Sequence, residues 1–413
     1  MRIWLIRDLE PIPTDPGDRR LMRMGMLAQT LARREHQTRW ITSSFDHYQK
    51  RQRQPSDQEI FPEANLAISI LPCPGYTRNI SLARIRHNRA FARAFEKYAR
   101  KISERPDIIV TDIPTTEAAA CAVAFGRRNA IPVVISIRDL WPDFFTDLLP
   151  TALRPLARPL LFPLGRQARQ ACSGASSIVG ISEDYLDWGL AKAGRARSDK
   201  DRVFPLGYAA RELPPVARRE SILSELGVRP SARLVTFVGS WGHTYDLKLV
   251  LDLARRLRDR SDIQFLVAGN GEQSKRLLPE FSELPNVLAP GWINAEQISV
   301  LLNRADIGLL PYTENAPQGL PNKIFEYMAY GTYQIATKKG EIESAYGSTG
   351  AGMALQSPDA ETLAHAICMT LGTGTVNQER PNRVQYFRDH WNAEIIYGRF
   401  ADHIVALAKN AKI

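Results

Sequence analysis

Short apolar runs of four to six residues recur along this chain, separated by longer stretches in which apolar residues return every three or four positions. The runs predict strands and the longer stretches predict amphipathic helices. In the first half, strands are expected at Arg2–Ile6, Thr38–Thr42, Ile68–Leu71, Ile108–Thr111, Val133–Ile137 and Ser177–Ile181. In the second half they are expected at Leu234–Val238, Gln264–Ala268, Val287–Ala289, Ile307–Leu310, Tyr333–Ala336 and Gly352–Leu355. Apolar strands alternating with helices are the pattern of doubly wound α/β domains, whose parallel sheets are covered on both faces. From Phe204 to Pro215 the sequence FPLGYAARELPP has Pro and Gly but no periodicity, which predicts a domain boundary there. About Trp391–Lys409 forms a last amphipathic segment.

With 413 residues and 44% hydrophobic content, the chain can fill two cores of ordinary size. Cys73, Cys121, Cys172 and Cys368 are scattered without a C-x-x-C pair, which fits buried thiols in a reducing compartment better than disulfides or zinc. The opening MRIWLIRD is charged by residue 7, unlike a signal peptide, and no apolar run approaches the roughly 18 residues that span a bilayer. A cytoplasmic protein is expected.

The net charge of +10 is uneven: residues 1–207 carry 32 Lys and Arg against 22 Asp and Glu, and the rest is balanced. Two segments stand out. Residues 84–105 place Phe91, Phe95, Tyr98 and Ile102 at helical spacing among cations, which predicts a sheet-covering helix with a solvated face, with a membrane-contacting helix as the alternative. Residues 151–169 hold Arg154, Arg158, Arg166 and Arg169, no acid, and Pro155, Pro159 and Pro163 at four-residue spacing. That pattern predicts an irregular, apolar and basic loop suited to a lipid headgroup zone. Nucleic acid is the weaker partner for such charge, because the basic segments lack interleaved aromatic platforms.

The richest chemistry lies from Asp306 to Gly331, DIGLLPYTENAPQGLPNKIFEYMAYG. A buried strand, a loop with Pro, Gly and Asn, and a helix capped by Asn322 follow in order. Helix N-termini attract phosphate through free N–H groups and the dipole. Lys323 and Glu326, three residues apart, share one face, with a cation for phosphate and a carboxylate for a ribose diol. A plain helix-dipole charge is the equal alternative for Glu326.

This stretch resembles the nucleotide-sugar motif of family 4 glycosyltransferases of the GT-B type, a Glu followed eight residues later by a second Glu. Here the second is Glu326, while the first position holds Gln318. Pro321, Lys323, Glu326 and Tyr327 are similar to the bacterial subgroup that builds O-antigen, capsule and exopolysaccharide. The resemblance implies two Rossmann-like domains facing a central cleft. Residues 1–207 would bind acceptor, residues 208–389 would bind a UDP- or GDP-linked sugar, and a helix over residues 390–413 would return to the first domain. It also implies retention of anomeric configuration.

Further candidates sit after predicted strands. Gly239 and Gly242 are placed to cradle phosphate, although relatives carry a Lys-Gly where this chain has Tyr245-Asp246. Gly269 and Gly271, with Trp292 and Ile293, would by resemblance flank base and ribose, while Gln318, Gly319 and Leu320 would meet sugar hydroxyls. On the acceptor side, Gly17 and Asp18 precede a helix expected at Leu21–Arg33 and form an anion-receptive loop. Arg138 and Asp139 follow the strand ending at Ile137, where a sheet delivers side chains to a ligand. Asp139 is the candidate carboxylate for the anomeric centre or acceptor hydroxyl, with an Arg138 ion pair or a helix cap as the alternative.

No histidine spacing or D-x-D pair suits a metal, and no G-x-S-x-G elbow or P-loop is present. With the resemblance, Lys323, Glu326 and Asp139 are the expected catalytic residues of a metal-independent, cofactor-free hexosyltransferase. It would act on a lipid-linked or saccharide acceptor at the inner face of the membrane, in polysaccharide assembly. A nucleotide-sugar epimerase of the same fold and a non-catalytic scaffold remain the alternatives.

Overall fold

The computed structural model describes all residues except 18–20, 54–56, 148–153, 317–318 and 412–413, and the side chains of 147 and 156–158. The chain divides into two compact units, residues 1–206 with 396–413, and residues 207–395.

Unit 1 begins with β1 (Arg2–Ile6), α1 (Arg23–Arg33), β2 (Gln37–Ser43), β3 (Phe45–Asp46), β4 (Arg51–Gln52), β5 (Gln58–Glu63) and β6 (Leu66–Leu71). It continues with α2 (Leu82–Lys101), β7 (Ile108–Ile113), α3 (Thr116–Arg128), β8 (Val133–Ile137), α4 (Asp143–Asp147) and α5 (Arg154–Gly174). β9 (Ser177–Gly180), α6 (Glu183–Ala193) and β10 (Arg202–Val203) complete it. The sheet order is β10-β9-β8-β7-β1-β2-β6-β5, parallel except at β5. Strands β6, β7 and β8 are buried at every residue, the reason that they read as mainly apolar runs, broken by Ser69, Thr111, Asp112 and Ser136.

In α2, Phe91 and Phe95 are fully buried against the sheet, while Arg89, Arg93, Lys97, Arg100 and Lys101 face solvent, as the spacing predicted. The expectation for residues 151–169 needs correction. Within its described part the segment is not an irregular loop but the start of α5, with Pro159 and Pro163 inside the helix. Each proline removes one i to i−4 bond, but four-residue spacing puts the losses on one side, where Pro155, Pro159 and Pro163 are exposed. Leu160 and Phe162 are exposed on α5, and Leu164 is buried.

Unit 2 comprises α7 (Val216–Glu225), β11 (Arg233–Val238), α8 (Leu247–Arg256), β12 (Ile263–Ala268), α9 (Ser274–Ser282), β13 (Val287–Gly291), α10 (Ala295–Arg304) and β14 (Ile307–Leu310). There follow α11 (Asn322–Ala329), β15 (Tyr333–Ala336), α12 (Glu341–Thr349), β16 (Gly352–Ala354), α13 (Ala360–Gly372), α14 (Thr375–Gln378) and α15 (Arg380–His390). Its sheet is wholly parallel, in the order β13-β12-β11-β14-β15-β16. The last helix, α16 (Ala393–Asn410), belongs from Ile396 onward to unit 1, where Phe400 stacks on Phe204 at 4.7 Å and Asp402 pairs with Arg34 at 2.6 Å. No helix among the described residues is long and apolar enough to cross a membrane.

Candidate active site

In a doubly wound sheet, ligands meet the carboxyl ends of the strands where the winding reverses. In unit 2 that point lies between β11 and β14, and several of the expected residues meet there. β11 runs into Gly239 and β12 into Gly269, and the two turns touch so closely that a Cβ on Gly269, which has φ +138°, would strike the Gly239 carbonyl oxygen. A Cβ on Gly271 would lie 2.8 Å from the Trp241 backbone. The Gly269 N–H donates to the Gly291 carbonyl at 2.7 Å, which ties in the β13 turn that carries Trp292 and Ile293. Trp292 is 75% exposed and Ile293 is buried.

Lys323 enters this group from the first turn of α11. Its Nζ donates to the Val238 carbonyl, and a Cβ on Gly239 would lie 2.5 Å from that nitrogen. The Phe237 and Tyr245 rings lie 5.6 and 5.8 Å from the Lys323 amine. An ammonium has three donors, so the contact to Val238 fixes the side chain and leaves others for a ligand. Tyr327 locks α11 to β11, its buried hydroxyl accepting from the Val238 N–H at 3.0 Å. Asn322 is not the cap expected of it: the N-cap is Pro321, with no side-chain cap bond. Glu326, one turn on, is half-buried and has no hydrogen bond or ion pair among the described residues. Gly319 and Leu320 lead into the helix, while Gln318 lies outside the described residues.

The phosphate cradle expected of Gly239–Gly242 is smaller than the sequence suggested. Gly239 and Trp241 already donate their N–H groups to the Ala268 and Asn270 carbonyls, at 3.0 and 2.9 Å. Gly242 contributes its carbonyl to Gln273 Nε2 at 2.8 Å.

In unit 1 the winding reverses between β1 and β7. Arg7, after β1, pairs with Asp112 of β7 at 2.9 Å, and Arg138, after β8, pairs with Asp112 at 3.1 Å and with Glu10. Burial would lower the Arg138 pKa, but the two carboxylates hold it raised, so this guanidinium is a fixed cation of the framework. Arg138 is thus engaged with Glu10 and Asp112, not with Asp139. Among the described residues the Asp139 carboxyl accepts only the Leu140 N–H, at 3.0 Å, and burial raises its pKa against the opposing pull of that N–H, Arg84, Arg7 and Arg138.

The loop expected to receive an anion does not present a free helix end. α1 begins at Arg23, and Glu10 Oε2 accepts the Met24 and Gly25 N–H groups at 2.8 and 3.3 Å. A carboxylate of the chain itself therefore occupies that helix N-terminus. Gly17 stands on an exposed turn at φ +97°, and Asp18 lies outside the described residues. Glu10, Asp112 and Arg84 were missed, although Glu10 and Asp112 carry a readable signal: each is an acid at the end of an apolar strand or just after one. A cavity of about 860 Å³ beside Arg39, Glu59 and Tyr98 lies elsewhere in unit 1 and includes none of these residues.

Residues 22–207 match the family described as glycosyl transferase 4-like domain, and residues 232–373 match glycosyl transferases group 1. No curated protein matches the chain in sequence. Among solved structures, sucrose-phosphate synthase from Thermosynechococcus elongatus is similar with a TM-score of 0.70 at 17% identity over 99% of both chains. The Anabaena protein HepE in complex with UDP is similar with a TM-score of 0.67 at 14% identity, over 98% of this chain and 100% of the other. WaaG, described as a glycosyltransferase involved in lipopolysaccharide biosynthesis, gives 0.63 at 15% over 98% and 99%. At such identities the likeness is one of fold, the double-Rossmann GT-B class.

Proposed function

With both units matched by glycosyltransferase domain families, this chain is a glycosyltransferase of the group 1, family 4 type, and we propose that its donor is a nucleoside diphosphate sugar bound by unit 2. The observation that carries the proposal is the seating of Lys323 against the Gly239 turn at the reversal point of the sheet, with Glu326, which has no partner among the described residues, one helical turn away. Lys323 and the α11 N-terminus would neutralise the departing diphosphate without a metal. Glu326 would accept hydrogen bonds from the ribose diol, and Gln318, Gly319 and Leu320 would meet the sugar. Solved neighbours hold UDP or UDP-glucose, which supports this donor class.

The acceptor is a lipid-linked saccharide of bacterial surface polysaccharide assembly, taken up by unit 1 on the cytoplasmic side of the membrane. Asp139 takes the proton of its attacking hydroxyl, and transfer retains the anomeric configuration. The exposed Leu160 and Phe162 of α5, with Arg154, Arg166 and Arg169 and no acid in the helix, suit contact with an anionic lipid surface.

The test is Glu326→Gln with nucleotide sugars screened by saturation-transfer NMR. Loss of the charge-assisted bond costs about 1.5–3 kcal/mol, or roughly 10- to 100-fold in donor use. Unchanged donor kinetics in a folded variant would falsify the ribose role.

A further inference from the structure

Arg84, in the first turn of α2, is a buried cation with no counter-ion among the described residues. The residue is 8% exposed, its Nη1 donates to the Asn79 carbonyl at 2.9 Å, and its Nε has no hydrogen-bond partner. Its guanidinium lies 4.3 Å from the centre of the Trp141 ring and 5.9 Å from that of Tyr76. Among the described residues, Arg7, Arg53 and Arg138 have carboxylate partners, while Arg23, buried without one, donates to neutral acceptors and leaves Nη2 without a hydrogen bond. Arg7 and Arg138 share Asp112, Arg53 makes a two-pronged bond to Asp15 at 2.7 Å, and Arg23 meets Ser136 and two main-chain carbonyls. An unpaired buried charge is costly, so a site that keeps one is organised around a charge that arrives from outside.

The surroundings say where that charge would sit. Of the cations acting on Asp139, Arg84 pulls most strongly, followed by Arg7 and Arg138, yet Arg84 and Asp139 form no ion pair. Lys50 adds to the positive side: its amine lies 4.7 Å from the Tyr76 ring centre, and its pKa is lowered by burial and by Arg84. His47 does not neutralise the excess, being pushed down to about 3 by burial, Lys50 and Arg84.

We propose that Arg84 binds an anionic group of the acceptor, a phosphate or a carboxylate, while Asp139 faces the reacting hydroxyl of the same molecule. The inference rests on the reading of unit 1 as the acceptor unit. A guanidinium stacked on an indole presents its donors in a fixed plane, the geometry that suits two-pronged binding of such anions. The acceptor is accordingly an acidic saccharide or one with a phosphate within a sugar's length of the hydroxyl that reacts.

To test this, the full chain carrying Lys323→Gln, which silences the donor diphosphate site, is titrated with methyl phosphate, inorganic pyrophosphate and glucuronate, with and without Arg84→Gln. At least one anion should bind, and Arg84→Gln should weaken it by about tenfold or more. Preference for the phosphates indicates a phosphorylated acceptor, and preference for glucuronate an acidic sugar. If Arg84→Gln does not fold by circular dichroism, Arg84→Lys keeps the charge without the fork and should bind at least about threefold more weakly. No binding of any anion, or equal binding by the Arg84 variants, overturns the proposal. Nucleotide binding by Arg84→Gln with native Lys323 is measured alongside. If no nucleotide binds even the unaltered chain while anion binding still depends on Arg84, the donor reading fails and the Arg84 site stands.

Discussion

Asp139 is held where a carboxyl is neither fully solvated nor directly neutralised, and burial leaves its pKa raised despite three nearby arginines. The sign follows directly. Folding favours the protonated form, so the contribution to stability is present at low pH and is lost as pH rises through the raised value. The carboxylate needed to take a proton from a hydroxyl becomes populated over that same rise. We therefore expect the acid limb of kcat/KM to lie above the ordinary aspartate range, and Asp139→Asn to lower kcat by about 100-fold or more while nucleotide binding persists. An identical limb in the variant would assign it to another group. Gly269 makes a separate case. Its positive φ and the Gly239 carbonyl both oppose a side chain, so Gly269→Ala should cost about 2–4 kcal/mol in urea unfolding. A near-neutral result would mean that the two turns can separate cheaply. Neither effect could be read from G-x-G in the sequence, because the obstructing atom belongs to a turn 30 residues away.

At the scale of single elements, α5 shows how a sequence rule gives way. Three prolines argue against a helix, but placing them on one exposed side leaves the rest of the ladder intact, and the basic, acid-free character survives the change from loop to helix. Replacing Arg154, Arg166 and Arg169 with Gln removes three charges at about 1 kcal/mol each near an anionic surface. Sedimentation with anionic liposomes at low salt should fall by roughly a hundredfold in affinity while nucleotide binding is kept. Equal sedimentation of variant and parent would leave α5 without that role. In α11 the expectations held better: Lys323 and Glu326 fall in the helix as placed, and only the cap moved, from Asn322 to Pro321. The helix has no capping side chain, which suits an end left open for phosphate.

For the molecule as a whole, leaving-group stabilisation by Lys323 and the α11 N-terminus leads to a clear expectation, that sugar transfer continues in excess EDTA. Loss of activity there, restored by magnesium or manganese, would refute the diphosphate role given to Lys323. The alternating pattern carried most of the architecture. β1, β8, β14 and β15 span the predicted residues, because strands buried on both faces are mainly apolar. The two-residue β3, β4 and β10 and the antiparallel edge strand β5 left no comparable trace, since edge and two-residue strands owe their geometry to neighbours. Local sequence likewise determined which residues had the chemistry, Lys323, Glu326 and Asp139 among them. Tertiary structure alone decided which of these are engaged and which are available. Arg138 is held by Glu10 and Asp112, the α1 N-terminus by Glu10, and the Gly239 and Trp241 amides by β12 and the loop after it. Asp139, Glu326 and Arg84 have no ion-pair partner among the described residues. The physical reason is that charge pairing depends on a few ångströms between atoms that lie tens to more than a hundred residues apart in sequence, and that distance is set only when the sheet is wound.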